Sequence, residues 1–117
     1  MIYTTFMSTQ VGNRGEDIVV EFLRSSGHTI KDRNWKTRWC EIDIVSIKDG
    51  VVYFVEVKFR SSDAWGSGFD YVTPKKLQQM KFAAEFWLSE NKYNDESTLA
   101  AAEVDSSGNV DFIEIET

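Results

Sequence analysis

One cysteine, one histidine and one proline occur among 117 residues, and each scarcity removes a class of chemistry. Cys40 alone can close no intrachain disulfide and supports no multi-cysteine zinc site. With His28 the only histidine, most zinc enzymes are excluded, as is a Ser/His/Asp triad built around a second histidine. No apolar run approaches the roughly 18 residues that a bilayer-spanning helix needs. The opening "MIYTTFMSTQ" has neither a basic n-region nor an apolar h-segment, so no signal peptide is expected. These absences predict a protein outside the membrane, in a reduced, cytoplasmic setting.

What is present is enough for one core. Hydrophobic residues make up 42% of the chain and aromatics 14%, which predicts a single folded domain over 1–117, with residues 1–10 a flexible N-terminus. The net charge of −6 is unevenly spread. Residues 1–84 carry 12 basic and 10 acidic side chains, a balance of +2, whereas residues 85–117 set Lys92 against nine acids, a balance of −8. The acidic third is expected to form a solvated face away from substrate. In "KDRNWKTRW" (31–39), Lys31, Arg33, Lys36 and Arg38 alternate with Trp35 and Trp39. That pattern suits phosphate contact with base stacking; it equally suits a solvated strand-to-loop segment with two half-buried tryptophans.

Periodicity predicts a helix over 11–26, where Ile18, Val19, Phe22 and Leu23 form one stripe and Gly27 is a stop. Strands follow at 28–34, 41–47 and 51–59, the last two joined at "KDG". A Gly/Ser loop with three aromatics covers 61–71 and is long enough to be functional. Thr73 and Pro74 read as the N-cap and first-turn proline of a helix ending near Asn91. Two more strands are expected at 98–104 and 110–115. The order α-β-β-β-α-β-β predicts an α/β protein, a mixed sheet flanked by helices.

The chemistry concentrates in one hairpin. If Asp49-Gly50 is its two-residue loop, facing residue numbers sum to 99; a four-residue loop keeps that sum. Asp43 then faces Glu56, and Glu41 faces Lys58. Opposed carboxylates repel, and Asp, Glu and Lys are poor strand residues. A divalent cation held by oxygens would offset the cost. On the first helix Glu16 lies at the edge of the apolar stripe, placed to look along the sheet, while Asp17, Glu21 and Arg24 point away. Glu16, Asp43, Glu56 and Lys58 together have the parts for metal-assisted phosphodiester hydrolysis. The three carboxylates would hold Mg²⁺ or Mn²⁺, and Lys58 would stabilise the transition state or orient a water. The plainer reading is a polar sheet face with a Glu41–Lys58 cross-strand ion pair.

These residues resemble a known family. "GNRGEDIVVEFLRSSGHTIKDRNWKTRWCEIDIVSIKDGVVYFVEVKFR" is similar to the YraN-type family of predicted endonucleases, of the restriction-endonuclease-like, or PD-(D/E)xK, superfamily, distant relatives of archaeal Holliday junction resolvases. The likeness spans roughly 12–88. It is carried by G-x-x-G-E (Gly12–Glu16), R-N (Arg33-Asn34), E-I-D (Glu41–Asp43), F-V-E-V-K-x-R (Phe54–Arg60) and an early lysine of the second helix, Lys75 or Lys76. It implies an αβββαβ core, a catalytic centre of Asp43, Glu56 and Lys58 with Glu16, and a DNA substrate, branched or single-stranded. Ile42 stands where the superfamily has proline, and Cys40 where the family usually has glycine; a side chain there could crowd the site.

The first reading is therefore a Mg²⁺- or Mn²⁺-dependent nuclease acting on DNA. A homodimer would let it cut two strands symmetrically. Nucleic-acid contacts are assigned to Arg33, Lys36, Arg38, Arg60 and Lys76, against the alternatives of a solvated strand end for Arg60 and a snorkelling side chain for Lys76. The second reading is an accessory module that binds nucleic acid but has lost useful catalysis. A third is a protein-interaction domain using its acidic C-terminal face.

Overall fold

The alternating strands and two amphipathic helices assemble into one mixed sheet with a helix on each face. Described in this computed structural model are residues 2–60, 69 and 71–115, and of residues 2–13 only the backbone. Helix α1 is Ile2–Ser25, strands β1, β2 and β3 are Thr29–Lys36, Glu41–Lys48 and Val51–Phe59, helix α2 is Pro74–Glu90, and strands β4 and β5 are Ser97–Val104 and Val110–Ile115. The sheet order is β1-β2-β3-β4-β5. All neighbours are antiparallel except β3 and β4, which run parallel because α2 carries the chain across. This α/β architecture is compatible with a restriction-endonuclease-like core.

The strands lie within about two residues of their expected bounds. The first helix does not: it begins at Ile2, so residues 2–10, expected to lie outside it as a flexible N-terminus, continue it. The 61–71 loop lies outside the described residues apart from Phe69 and Tyr71.

Local chemistry accounts for the turns. His28 donates its amide to the Leu23 carbonyl at 2.9 Å and Gly27 to Arg24 at 3.1 Å, a Schellman closure of α1. It requires a left-handed residue at Gly27, whose φ is +95°. The β2–β3 loop is the two-residue turn that Asp-Gly favours: φ is 52° at Asp49 and 80° at Gly50, both positive as type I′ demands. Thr73 Oγ1 accepts the Lys76 amide at 3.1 Å, and Pro74 opens the first turn of α2. Thr73→Ala should cost about 1 kcal/mol in urea unfolding while Thr73→Ser costs almost nothing, because only the hydroxyl acceptor is lost.

Two cores flank the sheet. Val19, Val20 and Leu23 of α1 pack on Ile44, Val55, Ala100, Ala102 and Val104. Met80, Ala83, Ala84 and Trp87 of α2 pack on Ile42, Val45, Val52, Phe54 and Leu99. Trp87 is fully buried and its indole N–H donates to Asp32 Oδ2 at 2.8 Å, tying α2 to β1. His28 is buried beside Ser46, with Nδ1 2.9 Å from the hydroxyl; burial, then the charge of Lys48, lowers its pKa.

Candidate active site

The site forms where β2 and β3 stop pairing. Their ladder runs from Lys48–Val51 to Ile44–Val55, the register in which facing numbers sum to 99. The next step along that register carries Asp43 and Glu56. There Asp43 Oδ2 accepts the Val57 amide at 2.8 Å, so a side chain takes the place of a main-chain acceptor and the strands part around a carboxylate. Asp43 is pushed up to about 7. Burial is the main cause and the Glu56 charge the next; the Val57 amide opposes them, and Glu16 and Glu41 add smaller increments.

Helix α2 supplies the first counter-charge. Lys76 Nζ lies 3.0 Å from Glu56 Oε2, one turn into the helix that Thr73 caps. Lys58, two residues beyond Glu56 on β3, is exposed, makes no ion pair among the described residues, and holds Nζ 5.8 Å from the centre of the Tyr71 ring. Tyr71 has its hydroxyl buried without a hydrogen-bond partner among the described residues. Burial raises its pKa, helped by the charges of Glu56, Glu103 and Asp43.

Glu16 approaches from α1. It is 7% exposed, accepts from Asn34 Nδ2 at 2.8 Å and lies 3.7 Å from Arg33 Nη2. Burial raises its pKa against those two partners. Asn34 reaches it from a left-handed backbone, φ 50°, that asparagine tolerates better than most residues. Arg33 also pairs with Asp17 at 2.6 Å. The Arg33-Asn34 pair thus engages the acids of α1.

The donors at the fork are carboxylate oxygens, the ligand type that hard divalent cations use. Among the described residues no three His, Cys, Asp or Glu side chains converge as a ready metal cage. Mg²⁺ and its mimic Mn²⁺ use one or two carboxylates and complete their shell with water and phosphate. Asp43 and Glu56 fit that requirement, and the mutual repulsion that raises Asp43 is what a cation would relieve. Glu16 is held by Asn34 and Arg33 rather than joined to the pair.

The other residues singled out in the sequence divide by location. Lys36 and Lys76 line an open groove beside Glu56. Arg38 lies over the Trp39 ring at 5.3 Å. Arg60 pairs with Glu103, so it is not a solvated strand end. The β2–β3 ladder ends at Ile44–Val55, and no Glu41–Lys58 ion pair forms among the described residues; Glu41 stands in register with Lys36 of β1, and Lys58 with Glu103 of β4. Cys40 packs against the α2-side core with Sγ 3.4 Å from Thr37 Oγ1, and it lines the same groove as Glu41 and Glu56. Two site neighbours escaped sequence reasoning. Glu103 is 4% exposed, although its segment reads as acidic and solvated. The signal was its position: "LAAAEV" places a carboxylate after an apolar run, as "VYFVEV" does at Glu56. Tyr71 was one aromatic of three in its loop, with nothing to mark it out.

Comparison with known proteins agrees with the motifs. The model of the uncharacterised protein family UPF0102 matches residues 15–115. The UPF0102 protein of Syntrophomonas wolfei is 42% identical over 82 residues, 70% of this chain and 71% of that protein. That of Mycolicibacterium gilvum is 40% identical over 89 residues, 74% and 72% of the two chains. UPF0102 protein VP0448 of Vibrio parahaemolyticus is 34% identical over 87 residues, again 74% and 72%. With the family model covering nearly all of α1's described side chains, every strand and α2, this chain belongs to the UPF0102 family, the YraN-type family of its E-I-D and F-V-E-V-K motifs.

Proposed function

We propose that this protein is a divalent-metal-dependent nuclease that hydrolyses phosphodiester bonds in DNA. The observation that carries the reading is the fork itself: two carboxylates, Asp43 and Glu56, set where β2 and β3 part, with the exposed ammonium of Lys58 one pleat further on. Asp43 and Glu56 would hold Mg²⁺ or Mn²⁺, which when bound lowers the pKa of a water and neutralises charge on the phosphate. Lys58 contributes a positive charge that a phosphate approaching the fork would meet, and that charge counts most as negative charge grows in the transition state. Lys76 balances Glu56 and, were a cation to take over that role, would be free to meet a phosphate. Glu16, fixed by Asn34, adds negative potential behind Asp43. The likeness of the motifs to restriction-endonuclease-like enzymes and resolvases supports a DNA substrate; symmetric cutting of two strands would use paired sites in a homodimer, and the scarcity of cysteine supports a reduced, cytoplasmic setting. No described helix is long and apolar enough to cross a membrane.

One observation favours a second reading, a nucleic-acid-binding module without useful catalysis: Lys76 already occupies Glu56. Cleavage of labelled flap, junction and linear DNA in Mg²⁺ or Mn²⁺ separates the two. For a nuclease, Lys58→Ala should slow cleavage roughly a hundredfold. Cutting that is unchanged in Lys58→Ala would discard this site. Salt-sensitive binding with no cutting in either metal would establish the accessory module.

A further inference from the structure

Three large apolar side chains are exposed among the described residues, and two of them, Trp39 and Phe82, flank one groove. The groove, about 650 Å³ and open, lies between the β1–β2 turn and the start of α2 and ends at Glu56. Trp39 is 66% exposed and Phe82 50%. Phe86 lies between them, its ring centre 6.0 Å from Trp39 and 6.1 Å from Phe82, and Trp35 stands 6.0 Å from it on the other side. The four rings form one aromatic surface. The turn presenting it is braced: Thr37 Oγ1 accepts the amides of both Trp39 and Cys40, at 3.0 and 3.1 Å. Trp39 is thus held out to solvent by two bonds of local structure, where burial would be the cheaper arrangement.

Around the rings the groove carries three lysines and two amides against the carboxylates of Glu41 and Glu56, the latter paired with Lys76. Lys36 and Lys75 line the groove and make no ion pair among the described residues. Arg38 covers one face of Trp39, and Gln79 offers a side-chain amide on the helix wall. Unpaired cations call for a ligand with regularly spaced anions; exposed, offset rings call for flat unsaturated groups. An apolar peptide would satisfy the rings and leave Lys36 and Lys75 unmatched. A duplex would satisfy the cations, but its bases stack on one another and offer no face to Trp39. An unpaired nucleic-acid strand supplies both, phosphates for the lysines and bases for the rings.

We infer that this groove is the binding site for an unpaired strand running up to the acidic fork, with Trp39 and Phe82 as stacking platforms and Lys36 and Lys75 as phosphate contacts. The inference rests on the nuclease reading only in setting the cleaved bond near Glu56; it makes the substrate DNA with a single-stranded segment beside that bond. The test is fluorescence anisotropy in EDTA with a labelled oligothymidylate of about 12 nucleotides and a duplex of the same length. Trp39→Ala and Phe82→Ala should each weaken oligothymidylate binding roughly 5- to 100-fold, with Trp39→Phe close to wild type and duplex binding unchanged. Both positions are exposed, so the variants should fold. Equal losses on duplex, or no loss on either ligand, would overturn the inference. So would variants that turn a dimer into a monomer by sedimentation at unchanged oligothymidylate affinity, since the rings would then join two copies of the chain. No divalent ion is present and no cleavage is read, so failure of the nuclease reading would appear in the cleavage assay alone, with this binding intact.

Discussion

Asp43→Asn is expected to do two opposite things: abolish cleavage and stabilise the metal-free fold above neutral pH. The loss of cleavage follows if Asp43 is half of the cation's protein shell, and should reach at least about a thousandfold because the metal's whole contribution goes with it. The gain in stability follows from the carboxyl's environment. Its folded pKa, about 7, lies above the ordinary 3.8, because burial and then the Glu56 charge disfavour ionisation. A group raised in this way lends stability that is fully present below pH 3.8 and is lost as pH climbs through 7. At pH 8 the wild type therefore holds a disfavoured charge. The difference, 7 − 3.8 = 3.2 pH units, corresponds at about 1.36 kcal/mol each to an upper bound on the order of 4 kcal/mol, part of which belongs to the coupled Asp43–Glu56 pair. Asparagine carries no charge and keeps an oxygen for the Val57 amide. Urea unfolding in EDTA should show Asp43→Asn more stable than wild type by roughly 2–4 kcal/mol at pH 8 and nearly equal to it at pH 4. Adding Mn²⁺ at pH 8 should close the gap by stabilising only the wild type. A variant no more stable at pH 8 would mean that Asp43 is not held as an unfavourable charge, and the physical case for a cation there would fall with it.

Much of this site was legible because it is local. An Asp-Gly pair between alternating strands specifies a type I′ loop, and the loop specifies that Asp43 and Glu56 meet at the same step. Gly27 and Thr73-Pro74 specify helix ends through bonds spanning three to five residues. The expectation that Glu41 faces Lys58 failed for a non-local reason: the β2–β3 ladder ends at Ile44–Val55, beyond which Asp43 accepts from the Val57 amide. Register between β1 and β2 is further displaced by a bulge between Ile30 and Asp32, which no spacing in the sequence announces. The environment of Glu103 was hidden for a related reason. A parallel pair is brought into register by the packing of its crossover helix, not by a turn, so the alignment of Lys58 with Glu103 could not be counted out along the chain.

That alignment makes Glu103→Ala the most damaging single truncation expected outside the apolar core. Glu103 is 4% exposed and pairs with Arg60, whose side chain is 27% exposed and whose Nε already lacks a partner among the described residues. Removing the carboxylate strands a guanidinium that water reaches only in part. Fully buried pairs broken this way cost about 3–5 kcal/mol; the exposure of Arg60 lowers the expectation to roughly 2–4 kcal/mol. Arg60→Met with Glu103→Leu should recover most of that loss, since neither charge is then left alone. The single Arg60→Met separates a merely structural pair from one that also serves the site. Glu103 stands in register with Lys58 across the β3–β4 ladder, so a Glu103 released from Arg60 would have the Lys58 ammonium beside it to turn to. Binding it would withdraw Lys58 from phosphate. Arg60→Met should then lose cleavage out of proportion to its unfolding free energy, and the double variant should regain cleavage along with stability. If the double variant regains stability alone, Arg60 is itself needed by the substrate. If Arg60→Met cuts normally, the pair only holds β3 against β4.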